Sequence, residues 1–251
     1  MFDFFSFAFA GLESGAFAAL LMTSFAGSFI TVSLGIGGGT LLIAVMASLM
    51  PAAALIPVHG VVQLGSNLTR AGLLRRHIHW RPLVGFGAGS LIGVFLGGMI
   101  AVELSPALVQ IGIGCFVIWN VLMRAPKWLS TIPWVIGGVT SFLTMFFGAS
   151  GVFVASFTKS LYLERQAHVA THAGLMTIQH TLKILAFGIL GFAFGPWVFF
   201  IALMIGAGFL GTLIGRAVLL RINDKAFKRG LDIVLVLISL RLIWNGLGLG
   251  V

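Results

Sequence analysis

Two sets of polar residues could act together inside this otherwise apolar chain of 251 residues. His59, Gln63, Ser66, Asn67 and Arg70 recur at spacings of three, four and one, which groups them on one side of a helix. His168, Thr171, His172, Gln179, His180 and Lys183 form a second such set. Within it His172, Gln179 and Lys183 are seven and four apart and share a face. Imidazole titrates near neutral pH and can pass a proton. His59 and His172 are therefore candidates for proton coupling. Asn67, Gln179, His180 and Lys183 offer hydrogen-bond donors without negative charge, which suits an anionic ligand. A structural hydrogen bond between helices is the alternative for each histidine taken singly. His77 and His79 fall in a basic stretch and read as a solvated loop.

Backbone groups supply the rest of the chemistry. The run Ser28-Phe29-Ile30-Thr31 leads through Leu34 into Gly35-Ile36-Gly37-Gly38-Gly39. Ser141-Phe142-Leu143-Thr144 leads into Gly148-Ala149-Ser150-Gly151 in the same register, at an offset of 141 − 28 = 113 residues. Paired interruptions of hydrophobic segments in two halves of a membrane protein point to a transport site. Non-helical backbone at membrane depth persists only where it is buried in protein or lines a cavity. A helix that restarts after such a break presents free amides and a positive dipole end, and both favour an anion. Gly37, Gly38, Gly39 and Thr40 make the first restart; Ser150, Gly151 and Val152 make the second. The glycines between 85 and 98 and between 206 and 215 read instead as close helix packing through small residues.

The ionisable groups agree with an anion. Lys183 lies within a span, where it is either a functional charge or a lysine that snorkels from a helix end. Arg70 is its partner at the 113-residue offset, and its position near a cytoplasmic end favours snorkelling. The six acids are Asp3, Glu13, Glu103, Glu164, Asp224 and Asp232, mostly at ends or loops. A cation site would want an acidic ligand within the spans, and a metal site would want carboxylates or thiolates. No metal and no cofactor is expected.

These groups must be positioned by membrane helices. The chain is 59% hydrophobic and 8% charged, with a mean hydropathy of +1.11. A soluble domain carries roughly 25% charged residues. The composition predicts an all-α polytopic membrane protein, residues 1–251 forming one transmembrane domain. The formal net charge of +9 belongs to loops that face the cytoplasm and its anionic lipid, not to nucleic-acid binding. The one cysteine, Cys115, reads as a small buried hydrophobe. Residues 1–13 hold no Lys or Arg, so no cleavable signal peptide is expected.

Spans are expected near residues 14–34, 53–72, 82–102 and 107–123, and again near 132–147, 166–187, 197–220 and 230–247. Short arms at 40–49 and 152–161 suit re-entrant or half-helices. This gives repeat 1 at about 14–123, a linker at 124–130 and repeat 2 at about 131–249. His59 pairs with His172, Asn67 with His180 and Arg70 with Lys183 at offset 113; Gly93 and Gly97 pair with Gly211 and Gly215 at offset 118. Placing the basic loop at 73–81 in the cytoplasm puts Arg124, Lys127, Lys159, Arg165 and the 221–229 stretch there too. Both termini then lie outside. Five segments per repeat is odd, so the repeats are inverted, with the broken helices meeting near the midplane.

Gly35-Ile36-Gly37-Gly38-Gly39 after an apolar span, the loop ending His79-Trp80-Arg81-Pro82, and the second break at 148–151 resemble the TauE/SafE family of sulfite exporters. The second break departs from the family pattern, which often has more glycine and a proline there. The resemblance covers nearly the whole chain. It implies an inner-membrane permease, not an enzyme, whose partners are membrane lipid and a small inorganic or organosulfur anion such as sulfite or a sulfonate. A passive anion channel is the competing class. Substrate, direction and oligomeric state are not readable from these residues.

Overall fold

The computed structural model describes residues 10–34, 37–101, 105–123, 126, 131–148, 150–218 and 224–249. The expectations for Gly35, Ile36, Ala149, the chain ends and most of the 124–130 linker lie outside the described residues. Among the described residues the secondary structure is helical. In chain order the helices are α1 (Ser14–Leu34), α2 (Gly38–Leu49), α3 (Ala52–Leu73), α4 (Arg81–Ala101), α5 (Pro106–Leu122), α6 (Pro133–Phe147), α7 (Gly151–Ser160), α8 (Arg165–Ile189), α9 (Val198–Val218) and α10 (Asp224–Gly246).

Local sequence explains most boundaries. Proline opens α5 and α6 at the first helical position, where its missing N–H is no loss. Ser105 caps α5 by accepting a hydrogen bond from the Leu108 amide at 3.4 Å. Gly148 ends α6 in the left-handed conformation, φ +69°, which glycine adopts without steric cost. The last helix differs from expectation. It starts at Asp224, not near Gly230, and runs through the basic stretch.

Polar side chains lie within the buried core, and large apolar side chains face outward. Gln63, Ser66, Asn67, Thr171, His172 and Gln179 are buried, while Val84, Phe95, Met99, Leu210 and Ile214 are exposed. That is the arrangement for a protein whose solvent is lipid. Among the described residues three segments, Ser14–Ser33, Arg81–Ile100 and Gly195–Ala217, are long and apolar enough to cross a membrane. Cys115 is exposed on α5, contrary to the expected burial; a small apolar side chain loses nothing by facing lipid.

The polar-faced helices α3 and α8 pack on each other at the centre. Around them α4 packs on α6, α1 on α9, and α5 on α10. Glycine sets the closest crossings. A Cβ on Gly93 would collide with the Gly138 carbonyl of α6, and one on Gly211 with the Phe25 carbonyl of α1. Gly97 and Gly215 stand one turn further along, against Phe142 and Phe29. The small-residue packing expected of these glycines is what they do.

Gly93→Leu should therefore lower the thermal midpoint of the detergent-purified protein, since overpacking costs about 1–3 kcal/mol. Gly206→Ala is the control, because no atom lies within 4 Å of a Cβ there. Fluorescence-detected thermal unfolding reads both.

Candidate functional site

Both glycine breaks open onto one cavity. Gly37 (φ +101°) and Gly148 (φ +69°) turn the chain, and α2 and α7 start immediately beyond them. The first amides of a helix have no partner within it. For α2 these belong to Gly38, Gly39 and Thr40; for α7 they include Gly151 and Val152. Gly37, Gly39 and Thr40 line the cavity together with Gly148, Gly151 and Val152. α3 adds Gln63, Asn67 and Arg70, α8 adds His172, Met176 and His180, and α1 adds Thr31. Among the described residues, no Asp or Glu lines the cavity.

Two histidines hold the restarting helices. His59 Nε2 lies 3.3 Å from the Gly39 carbonyl, and His172 Nε2 lies 3.1 Å from the Gly151 carbonyl. A carbonyl only accepts, so His172 donates from Nε2; His59 Nε2 also lies 3.4 Å from Gln63 Nε2, and its tautomer decides which of the two bonds it makes. Among the described residues, His59 Nδ1 and His180 Nδ1 have no partner. The His59 and His180 rings meet edge to face with centroids 6.1 Å apart.

Arg70 supplies the cavity's positive charge. Its Nη1 donates to Ser66 Oγ at 2.9 Å and its Nη2 to Asn67 Oδ1 at 2.7 Å. Its Nε has no partner among the described residues, and the residue is 3% exposed. The snorkelling expected of Arg70 is not seen. Linear threading puts it near a helix end, but Ser66 and Asn67, one turn earlier on the same face, draw the guanidinium back into the cavity.

The sequence-derived candidates divide by location. Gly37, Gly39, Thr40, Asn67, Gly151, Val152, His172 and His180 line the cavity. Gly38 does not; it packs backbone to backbone on Gly27 of α1. Gln179 and Ser150 sit behind the wall, bonded to each other at 2.9 Å. Gln179 Nε2 also reaches Thr140 at 2.9 Å and Ser141 at 3.1 Å. Lys183 is sealed in the interior at 0% exposure, its Nζ 3.4 Å from Thr144 Oγ1. It does not snorkel. Thr31, Gln63, Arg70, Gly148 and Met176 line the cavity without having been assigned as site residues. Thr31 was legible as the counterpart of Thr144 in the opening run, and Arg70 as the counterpart of Lys183; Met176 gave no signal.

The family model described as sulfite exporter TauE/SafE matches residues 19–242. The chain belongs to the TauE/SafE family. Neither a curated protein nor a solved structure matches it. Membership makes this a multi-pass membrane protein of a transporter family. The match spans both glycine breaks and every residue that lines the cavity, so the TauE/SafE match includes the complete site.

Gln179→Leu takes the acceptor from Ser150 and the donor from Thr140 and Ser141. It should destabilise the protein by about 1–3 kcal/mol, the cost of buried groups left unpaired. A drop of several degrees in the unfolding midpoint is the expected result.

Proposed function

We propose that the chain is a secondary transporter that moves a small sulfur-containing anion, such as sulfite or a sulfonate, across the inner membrane by alternating access. One observation carries this reading. Two helix starts and a buried arginine converge on one cavity that, among the described residues, no carboxylate faces. Buried charge is costly unless paired, and here the missing partner is an anion. The polar lining and the small size of the cavity suit a compact oxyanion. Substrate contacts are assigned to the amides of Gly37, Gly39, Thr40, Gly151 and Val152 and to Asn67, His180 and Arg70, with Gly38 seating the first helix start on α1 and Ser150, Gln179 and Lys183 supporting the second half.

Two inverted repeats underlie the proposed mechanism. In support, α2 and α7 start 151 − 38 = 113 residues apart, and α3 and α8 start 165 − 52 = 113 apart. After the loops the offset becomes 224 − 106 = 118 for α5 and α10. Exchanging the halves also turns the α4–α6 contact into the α9–α1 contact, and Gly93 against Gly138 into Gly211 against Phe25. Odd numbers of segments invert one repeat relative to the other. The positive-inside pattern supports a cytoplasmic loop at 73–81 and outer termini. His59 and His172 are the proposed proton carriers. Protonation at Nδ1 keeps the Nε2–H bond to the helix start, so charge changes while geometry is held.

The test is sulfite flux into liposomes holding the purified chain. Flux should saturate with sulfite and resist competition by chloride. Arg70→Gln should cut it about tenfold or more, as the loss of a charge-assisted hydrogen bond of about 1.5–3 kcal/mol implies. Flux that never saturates would make the protein a channel. No flux of sulfite, sulfate or sulfonates would overturn the reading.

A further inference from the structure

The second cation is in the wrong place for the cavity just described. Lys183 lies on α8 where Arg70 lies on α3, at 183 − 70 = 113. Thr144 lies on α6 where Thr31 lies on α1, at 144 − 31 = 113. Thr31 and Arg70 line the cavity, while Thr144 and Lys183 pair behind it. No acid meets Lys183; the Thr144 hydroxyl is the one hydrogen-bond partner of its Nζ among the described residues. The niche is built for this side chain. A Cβ on Gly60 of α3 would stand 2.8 Å from Lys183 Cε. An intramembrane charge without a counter-charge is a functional group by default.

What covers Lys183 is visible. A second space, about 1010 Å³ with its open mouth, lies at the bundle end opposite the basic loop. Its lining includes Ile56, Pro106, Met145, Phe146 and Phe187. Met145 directly follows Thr144, and Phe187 is one turn beyond Lys183 on α8. Met145 and Phe146 pack with Phe187 into one apolar cluster. Neither Thr144 nor Lys183 is among the residues that line the vestibule, and Met145 and Phe187 are their nearest neighbours in sequence that do. On the inner side His180, three residues before Lys183 on α8, lines the first cavity.

We propose that Lys183 and Thr144 form a second anion station, closed in this structure by Met145, Phe146 and Phe187, which receives a small oxyanion from the Arg70 cavity past His180 when that plug opens. The inference rests on the transporter reading above. It adds that the two cations serve in turn: the one that faces an open space holds the ion while the other is sealed.

Thiol labelling tests this without needing transport. Cys115→Ser removes the native thiol, and Thr144→Cys places a reporter beside Lys183. The probes are a negatively and a positively charged methanethiosulfonate of similar size, applied to membrane vesicles from the vestibule side. Phe187→Ala should speed labelling about tenfold, and the negative probe should outpace the positive one about tenfold, each near 1.4 kcal/mol. Adding Lys183→Gln should abolish the charge preference. Phe146→Ala serves as a second opening variant if Phe187→Ala does not fold. A reporter that stays unlabelled in both opened variants, or that labels with no charge preference, would overturn the proposal. In the sulfite assay Lys183→Gln should lose flux and Lys183→Arg should recover part of it; full flux in Lys183→Gln would also overturn it. Absence of sulfite flux in the unmodified protein would instead overturn the transporter reading and leave the labelling result to be judged alone.

Discussion

A peptide group that leaves the helical ladder at membrane depth has no water to turn to. This protein does so twice, at Gly37 and Gly148. The arrangement of its centre follows from satisfying what those breaks expose. The carbonyls of Gly39 and Gly151 are met by His59 and His172, so α3 and α8 must each lie against a break. That places the two polar-faced helices side by side in the core. Gly38 presses on Gly27, so the first half-helix also rests on the backbone of α1. The amides at the two helix starts are the groups that remain, and they face the cavity.

Electrostatics takes over at that point. Arg70 is oriented by neutral groups, Ser66 and Asn67, which fix its direction and leave its charge uncompensated. A carboxylate in their place would have made a stable ion pair and a site with little pull on an anion. Coulomb attraction between unit charges grows from about 1 kcal/mol at 4 Å in water to about 4 kcal/mol at an effective dielectric of 20. Among the described residues, withholding acids from the lining is thus as much a part of the site as the donors.

Much of this was legible in the sequence, for a physical reason. A helix broken inside a membrane needs glycine at the break and polar groups on the neighbouring helix, and both leave marks at fixed spacing. The boundaries of α1, α2, α3, α6, α7 and α8 fall close to where hydrophobic runs and glycines put them. Depth was not legible. Arg70 looked peripheral because position along a helix does not tell where a long side chain points. Gln179 looked like a ligand, but amides that bind anions and amides that pin helices share one chemistry, and only the hydroxyls of Thr140, Ser141 and Ser150 around it distinguish them. The start of α10 was missed because charge was taken as a loop signal, although Lys and Arg are good helix formers.

The packing also constrains what could move in the proposed alternating access. The closest helix pairs do not stay within one half of the sequence. α4 is held to α6 through Gly89 and Gly93, and α9 to α1 through Gly211 and Gly215, each by backbone-to-backbone contact. Contacts of that kind leave no slack for sliding, because close-packed interfaces shift between discrete arrangements and do not deform smoothly. A rocking motion that kept each sequence half rigid would have to break both crossings at once. A motion that carries α4 with α6, and α1 with α9, keeps them. It concentrates the change where α3 meets α8, around the edge-to-face contact of His59 and His180, and between Phe146 and Phe187 over Lys183. The proposed moving bodies are thus the mixed pairs, and the halves of the sequence supply one helix to each.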